Sequence, residues 1–181
     1  LLSRLWPALQ YIDTSSGALG TAVYNTVQAL IPIIINAPWD EFTRNRHLDE
    51  LFNAVNEDGV SYLAEVEENW GKLCVFPSLL DKWIDHLFED TRRNLSSPNT
   101  GWIKGTAACF SCLLKAQRYD DIKRLTDAAH RQSWSIEKHW AQALARQNKI
   151  DEAIAFAEKY RGDKWTSEPT INEFCEQALL G

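Results

Sequence analysis

Two cysteines three residues apart, Cys109 and Cys112, form a C-x-x-C pattern, a spacing that binds metal ions or cycles between thiol and disulfide. The residues around them are apolar, Phe110 among them, and a second C-x-x-C is absent. The histidines His130 and His139 are too far away to complete a zinc-finger-like set. We therefore interpret the two cysteines as small apolar residues packed between helices, and we expect no metal and no cofactor.

Ser135 and Lys138 have the S-x-x-K spacing of serine acylases, in which a lysine one turn after the serine takes its proton. The Ser-Asp-Asn and Lys-Thr-Gly motifs that accompany this pattern are absent, and Ser135 follows a turn. We interpret Ser135 as a helix-capping serine. The sequence also lacks H-E-x-x-H, G-x-S-x-G and a phosphate-binding glycine loop, so it predicts a protein without a catalytic set.

Carboxylates and one histidine are the remaining groups that could perform acid–base chemistry or bind a hard cation. They are His47 and the acidic sets Glu65, Glu67, Glu68 and Asp85, Glu89, Asp90. All of them fall on ordinary amphipathic helix patterns, so we interpret them as solvated helix faces. The alternative is an enzyme in which these carboxylates or His47 line a central cleft.

Aromatic and basic residues lie close together near the C-terminal end of the sequence, and both types are favoured anchors in protein interfaces. The sequence therefore predicts a partner-binding surface there, formed by Trp134, Trp140, Trp165, Arg131, Arg161 and Lys164. Most of the eight tryptophans should instead be wedges between helices, with the indole N–H near the surface.

The bulk composition is that of an ordinary globular protein, with 45% hydrophobic and 24% charged residues in 181. Up to residue 90 there are 5 basic against 14 acidic residues, which disfavours nucleic acid as a partner. Four cysteines in this length do not make a disulfide framework, so a cytoplasmic location is expected. The most apolar run, residues 29–35, has seven residues and includes Pro32, so we expect no spanning helix and no membrane partner.

Apolar residues recur at three and four positions through most of the chain, which predicts an all-α fold of about ten amphipathic helices. The segment 92–101, rich in Ser, Pro, Asn and Gly, is the predicted internal boundary of one domain spanning residues 1–181. It separates an acidic N-terminal part from a C-terminal part with a net positive charge. Because the chain starts at Leu1 and has no Met, we expect it to be a fragment of a longer protein.

A local repeat connects two predicted helical hairpins in the C-terminal part. Residues 113–122 match residues 144–153 at an offset of 31 residues, which is a repeat-like period. In both copies an Asp opens the second helix, and residues 171–180 would begin a third pair.

Residues 140–158 resemble tetratricopeptide-type helical repeats, with Trp140, Ala141 and Leu144 at the first-helix positions and Ala153 and Ala157 at the second-helix positions. Asn148 stands where glycine is usual and also adopts left-handed geometry. The resemblance implies antiparallel hairpins stacked as a short α-solenoid that binds partners, and it implies no catalytic residue. The spacing of Trp, Gly and Cys in 68–74 and 101–109 is also similar to that of uncharacterised bacterial helical-repeat proteins.

These observations predict a non-enzymatic helical scaffold that binds a protein or peptide. Two alternatives remain. One is the enzyme with a carboxylate or histidine cleft, and the other is a structural or regulatory segment of a larger protein.

Overall fold

A computed structural model describes residues 2–4, 9, 17–98, 104–162 and 166–180, and within these ranges the chain is helical without β-strands. The predicted all-α class is therefore confirmed. The helical spacing of Leu2, Leu5, Trp6, Leu9 and Ile12 predicts a first helix over residues 1–12, and most of this segment falls outside the described residues. The described elements are a 3₁₀ turn at Leu2–Arg4 and the helices α1 Ala18–Ile35, α2 Glu41–Glu57, α3 Ala64–Glu68, α4 Trp70–Cys74, α5 Pro77–Leu95, α6 Thr106–Lys115, α7 Tyr119–Ala128, α8 Trp134–Arg146, α9 Ile150–Glu158 and α10 Glu168–Leu180.

The chain divides into two compact units. Unit 1 comprises Leu1–Thr91 and Trp102–Ala116, and unit 2 comprises Arg92–Gly101 and Gln117–Gly181. The segment 92–101, at which the sequence predicts an internal boundary, belongs to unit 2. The segment that follows it, which contains α6, belongs to unit 1.

Helix α1 continues through Pro32, where the sequence predicts a kink or an end. The carbonyl of Pro32 accepts bonds from the backbone N–H of Asn36 at 3.1 Å and from its side-chain amide at 2.8 Å. These bonds hold the last turn. The run 33–35 has strand propensity, but the absence of a partner strand in the sequence predicts a buried helix end instead, and the run is helical. The expected burial of this end is wrong for Ile33, whose surface is 65% exposed.

Helix α1 is also the one helix, among the described residues, that is long and apolar enough to cross a membrane. Its 18 residues include no charged side chain, and 17% of them are buried. Thr, Asn and Gln interrupt the apolar runs of this helix but add no charge, so the length of the longest uninterrupted run understates how apolar the whole helix is. The absence of a membrane partner therefore stays a prediction.

In unit 1, α4 and α6 approach each other closely at a glycine. The backbone N–H of Gly71 donates to Ser111 Oγ at 3.0 Å, and a Cβ atom at position 71 would lie 2.3 Å from the Ser111 carbonyl oxygen. Ser111 Oγ in turn donates to the Glu68 carbonyl at 2.9 Å. The sequence predicts one helix over 60–75 with a break near Gly71; the chain instead forms two short helices that meet at Asn69.

The aromatic part of the unit 1 core lies between α2, α4 and α5. The ring centroids of Trp70 and Trp83 are 4.9 Å apart, and Phe52 lies 4.9 Å from Trp83. The apolar face predicted for α5 is confirmed, because its six apolar residues between Leu79 and Phe88 are all buried. The prediction that indole N–H groups stay near the surface is wrong for Trp70 and Trp83. Their Nε1 atoms are buried and have no hydrogen-bond partner among the residues that the structure describes.

In unit 2, each helix packs against the next one in the chain: α7 against α8, α8 against α9, and α9 against α10. A buried cluster joins the last three of these helices and consists of Trp134, Ala141, Ala157 and Ile171. Ala153 is also fully buried. Small side chains therefore occupy the helix contacts, as close packing of short helices requires.

The turns that precede α7 and α9 have the same backbone conformation. Gln117 and Asn148, which are 31 residues apart, have φ values of 58° and 62°, in the left-handed region. The following residues, Arg118 and Lys149, have ψ values of 63° and 59°, and each directly precedes its helix. The predicted left-handed geometry of Asn148 is confirmed. The predicted Asp caps are wrong, because Arg118 and Lys149 occupy the capping positions and the acids lie in the first turn.

Candidate functional site

Trp134, one of the predicted partner-binding residues, lies in the core of unit 2. Its surface is 5% exposed, and its ring packs against Phe174 at 5.4 Å and Tyr160 at 6.0 Å between centroids. A side chain in this position stabilises the packing of α8, α9 and α10. It is not available to a partner while the unit is folded.

Trp140 lies on a different face of the same helix, because six residues along an α-helix correspond to about 240° of rotation. It is half-buried, and the ammonium group of Lys123 lies 5.6 Å from its ring centroid. Lys123 also forms an ion pair with Asp127 on α7. The structure thus places a partly accessible aromatic ring beside a lysine and a carboxylate.

One basic residue of the predicted surface, Arg161, already has hydrogen-bond partners within the chain. Arg161 is exposed, but its guanidinium group makes two bonds to the Glu158 carboxylate, at 2.5 and 2.7 Å, and one to Asn172 Oδ1 at 2.9 Å. The bond from Arg161 lowers the pKa of Glu158. Arg131 is exposed in the segment before α8, and the predicted residues Lys164 and Trp165 lie outside the described residues.

A buried carboxylate lies near the Trp140 face. Glu137 is 4% exposed, and burial raises its pKa to about 7, with Lys123 lowering it and Asp127 raising it further. Such a group exchanges a proton close to neutral pH. The two charged groups that modify the effect of burial on this pKa, Lys123 and Asp127, both lie on α7.

A second candidate site is a cavity of about 630 Å³ in unit 1, between the Leu2–Arg4 turn, α1 and α2. Its size is within the range of small-molecule pockets. Most of its lining is apolar, and Trp39, Arg44, His47 and Glu50 contribute polar groups.

Arg44 is the most unusual residue of this cavity, because its charged side chain is 1% exposed. Its two terminal nitrogens donate to the carbonyls of Ile34, Ile35 and Ala37, and to that of Leu73 at 3.0 Å. The carbonyls of Ile34 and Ile35 belong to the last turn of α1, where the helix dipole favours a cation. Arg44 Nε is buried and has no hydrogen-bond partner within the described part of the chain.

Trp39 and His47 form the aromatic side of the cavity. The Arg44 guanidinium lies 5.3 Å from the centroid of the Trp39 ring, which is 4.6 Å from that of His47. His47 Nδ1 lies 3.4 Å from Glu50 Oε2. The interpretation of His47 as part of a solvated helix face is therefore wrong in part, because the ring is half-buried and lines a cavity.

The remaining sequence candidates lie in packed or exposed structural positions. Cys109 and Cys112 are fully buried in α6, and Cys74 of α4 is fully buried as well. All three are free thiols. No group of His, Cys, Asp and Glu able to hold a metal ion occurs among the described residues. Ser135 is not the cap of α8, because Ser133 occupies that position and its hydroxyl lies 2.9 Å from that of Ser135.

Sequence reasoning missed Arg44 as a site residue and treated Glu67 as part of a solvated face. Glu67 is 3% exposed and accepts a bond of 2.7 Å from the Gly105 backbone N–H. A signal for Arg44 was present, because it precedes Leu48 by four residues and Leu51 by seven, on the apolar face of α2. A charged residue at such a position has to find partners inside the fold.

Comparisons with protein-family models, with curated proteins and with solved structures give no match to this chain.

Proposed function

We propose that the chain is a non-enzymatic helical-repeat scaffold that binds a protein or peptide partner. The observation that carries the proposal is the turn that recurs 31 residues apart, with Gln117 and Asn148 in the same left-handed conformation. A recurring turn between short helices is typical of hairpin repeats, which present extended binding surfaces. A tetratricopeptide-like α-solenoid is the arrangement that we propose for these hairpins.

The packing of unit 2 supports this proposal. Each of its helices packs on its neighbour in the chain, and Ala141, Ala153 and Ala157 are fully buried. These are the small-residue positions of the resemblance to tetratricopeptide repeats. Close packing of the helices is sufficient to explain why these three positions are alanines.

We place the recognition surface on the exposed side of α7 and α8, centred on Trp140 and Lys123. Tryptophan is the residue type most enriched in binding hot spots, and a ring that is already half-buried loses little conformational entropy when a partner covers it. The proposed setting is the cytoplasm, in keeping with the free thiols of Cys74, Cys109, Cys112 and Cys175.

Affinity capture with matched variants tests the proposal. Immobilised protein is compared with Trp140→Ala and with Phe42→Ala, which removes an aromatic side chain of unit 1 that is 79% exposed. A protein retained by the native chain and by Phe42→Ala, but lost with Trp140→Ala, supports the surface. Retention that does not depend on Trp140 contradicts it.

A further inference from the structure

Three buried thiols lie where α4 and α6 approach each other in unit 1. Cys74 is the last residue of α4, whereas Cys109 and Cys112 are one turn apart on α6, and all three are 0% exposed. The close approach occurs one turn before Cys74, at the bond from the Gly71 N–H to Ser111 Oγ. Since Ser111 directly precedes Cys112, the fold brings the thiol of α4 close to a thiol of α6.

A hydrogen bond joins the thiols of Cys74 and Cys112 across this contact. This bond and burial raise the pKa of the Cys112 thiol, so Cys112 keeps its proton and donates it, and Cys74 is the acceptor. Two sulfur atoms in hydrogen-bond contact need only a small movement to reach the length of an S–S bond, about 2.05 Å. The C-x-x-C pattern indicates thiol–disulfide chemistry, and the structure supplies Cys112 with a thiol neighbour on another helix.

A buried positive charge lies near Cys74. Burial lowers the pKa of the Arg44 guanidinium, and a thiolate at Cys74 opposes this change, so the two groups interact electrostatically. Arg44 Nη1 donates to the carbonyl of Leu73, the residue directly before Cys74, at 3.0 Å. Because arginine is always charged, a thiolate at Cys74 has a counter-ion inside the protein. Cys74 is therefore the nucleophile of the pair, since the thiolate is the reactive form.

The turn that follows Cys74 offers a route to the buried pair. Val75 is 43% exposed and has φ 61° and ψ −51°, a conformation that a β-branched residue rarely adopts. A hydrogen bond of 2.6 Å from the Phe76 N–H to the Cys74 carbonyl closes this turn. Local opening of the turn relieves the strain and exposes the end of α4, a helix of only five residues, to a molecule as small as hydrogen peroxide.

We propose that Cys74 and Cys112 are a site of reversible oxidation, at which hydrogen peroxide converts the two thiols into a disulfide that joins α4 to α6. The Cys74 thiolate attacks one peroxide oxygen, the O–O bond breaks, and the hydroxide that leaves takes up the proton that Cys74 released. The Cys112 sulfur then attacks the sulfenic acid at Cys74, and the hydroxyl group leaves as water with the Cys112 proton. Two thiols and one peroxide thus give one disulfide and two water molecules. In the proposed cytoplasmic setting such a disulfide is transient and senses oxidants.

Peptide mapping of the whole chain after treatment with hydrogen peroxide tests the proposal. Trypsin separates residues 73–82, which contain Cys74, from residues 105–115, which contain Cys109 and Cys112. We expect these two peptides to be joined with the loss of two hydrogen atoms and to be released by dithiothreitol. A disulfide within residues 105–115 alone, a cross-link to Cys175, addition of oxygen without cross-linking, or no reaction would each overturn the proposal.

Cys109→Ala is the matched control, because Cys109 is as fully buried as Cys112 and lies one turn away on the same helix. The cross-link to Cys74 should form in Cys109→Ala and be absent from Cys112→Ala, with far-ultraviolet circular dichroism verifying that each variant is folded. Loss of the cross-link in Cys109→Ala would overturn the assignment to Cys112, whether or not Cys112→Ala folds.

Val75→Gly tests the route through the turn. Glycine adopts a positive φ without strain, so the closed turn becomes more stable and cross-linking should slow by about three- to ten-fold. Val60→Gly, at a valine that is 52% exposed and lies before α3, should react at the rate of the native chain. Equal rates in Val75→Gly and the native chain would contradict access through this turn.

Discussion

The carboxylate of Glu67 on α3 accepts a hydrogen bond of 2.7 Å from the backbone N–H of Gly105, the residue that caps α6. The bond satisfies a donor at a helix N-terminus, where a negative charge is favourable. Burial nevertheless raises the pKa of Glu67 to about 7; the Gly105 bond and Lys104 lower it, and Glu68 and Asp58 raise it. The start of α6 is thus held by a group that changes charge near neutral pH.

The stability of unit 1 should therefore decrease as the pH rises. The folded-state pKa of Glu67 is above the unfolded value of 4.5, so its contribution is fully present below pH 4.5 and is lost as the pH rises through 7. The loss is about 3 kcal/mol at about 1.4 kcal/mol per pKa unit. In Glu67→Gln the part of the decrease that Glu67 causes should disappear, whereas the part that Glu137 of unit 2 causes should remain. Urea unfolding of the native chain and of Glu67→Gln at pH 5 and pH 8 measures the difference.

Glu57→Gln is the matched control, because Glu57 is an exposed carboxylate at the end of α2. It should keep the pH dependence of the native chain. The same decrease in Glu67→Gln and in the native chain would show that Glu67 does not titrate in this range.

Arg44 should be essential for the stability of unit 1. Arg44→Ala removes the guanidinium donor from four buried or half-buried carbonyls, and we expect a loss of about 3–5 kcal/mol. Arg44→Lys should recover only part of it, because an ammonium group lacks the planar fork that reaches separate carbonyls. Arg46→Ala, an exposed position on the same helix, should change the free energy of unfolding by less than about 0.5 kcal/mol. A mild effect of Arg44→Ala would refute this account of the α1 C-terminus.

The contact at Gly71 predicts opposite effects for two glycine-to-alanine substitutions. Gly71→Ala should destabilise by about 1–3 kcal/mol or more, because its Cβ meets backbone atoms of α6 that cannot move away cheaply. Gly20→Ala, within α1 and with open space around it, should stabilise by about 0.5–1 kcal/mol. The midpoint of thermal unfolding, Tm, is measured for both variants. Equal shifts in Tm would contradict the close approach of α4 and α6.

The two tryptophans of α8 should respond differently to truncation. Trp134→Ala opens the unit 2 core between α8, α9 and α10, so a loss of about 3–5 kcal/mol is expected. Trp140→Ala removes a half-buried ring beside Lys123 and should cost about 1–2 kcal/mol. Denaturant unfolding measures both values, and the reverse order would mean that Trp140 belongs to the core.

Helix type and approximate extent were predictable from the sequence because they depend on local periodicity and capping. Asp40, for example, follows the breaker segment 36–39 and directly precedes an amphipathic pattern, which predicts a helix cap. In the structure its Oδ1 accepts the Thr43 N–H at 2.7 Å. The apolar face of α5 follows from residues three and four apart on one helix. Both signals are contained in a few adjacent residues.

Burial of individual polar residues was not predictable, because it depends on segments far apart in the chain. Arg44 is buried because its partners include the carbonyl of Leu73, 29 residues away. Glu67 is buried because Gly105, 38 residues away, supplies its donor. The different positions of Trp134 and Trp140 have a similar cause. Both lie on α8, but Trp134 packs against Phe174 of α10 and Trp140 lies beside Lys123 of α7.

The affinity of a captured partner for Trp140→Ala, measured by titration calorimetry against the native chain, tests the scaffold function most directly. We expect a loss of about 30-fold or more, equivalent to about 2 kcal/mol for a hot-spot tryptophan, with unit 2 still folded. Phe42→Ala, which removes an exposed aromatic side chain of unit 1, should leave the affinity unchanged. Unchanged binding by Trp140→Ala would contradict the proposed recognition surface.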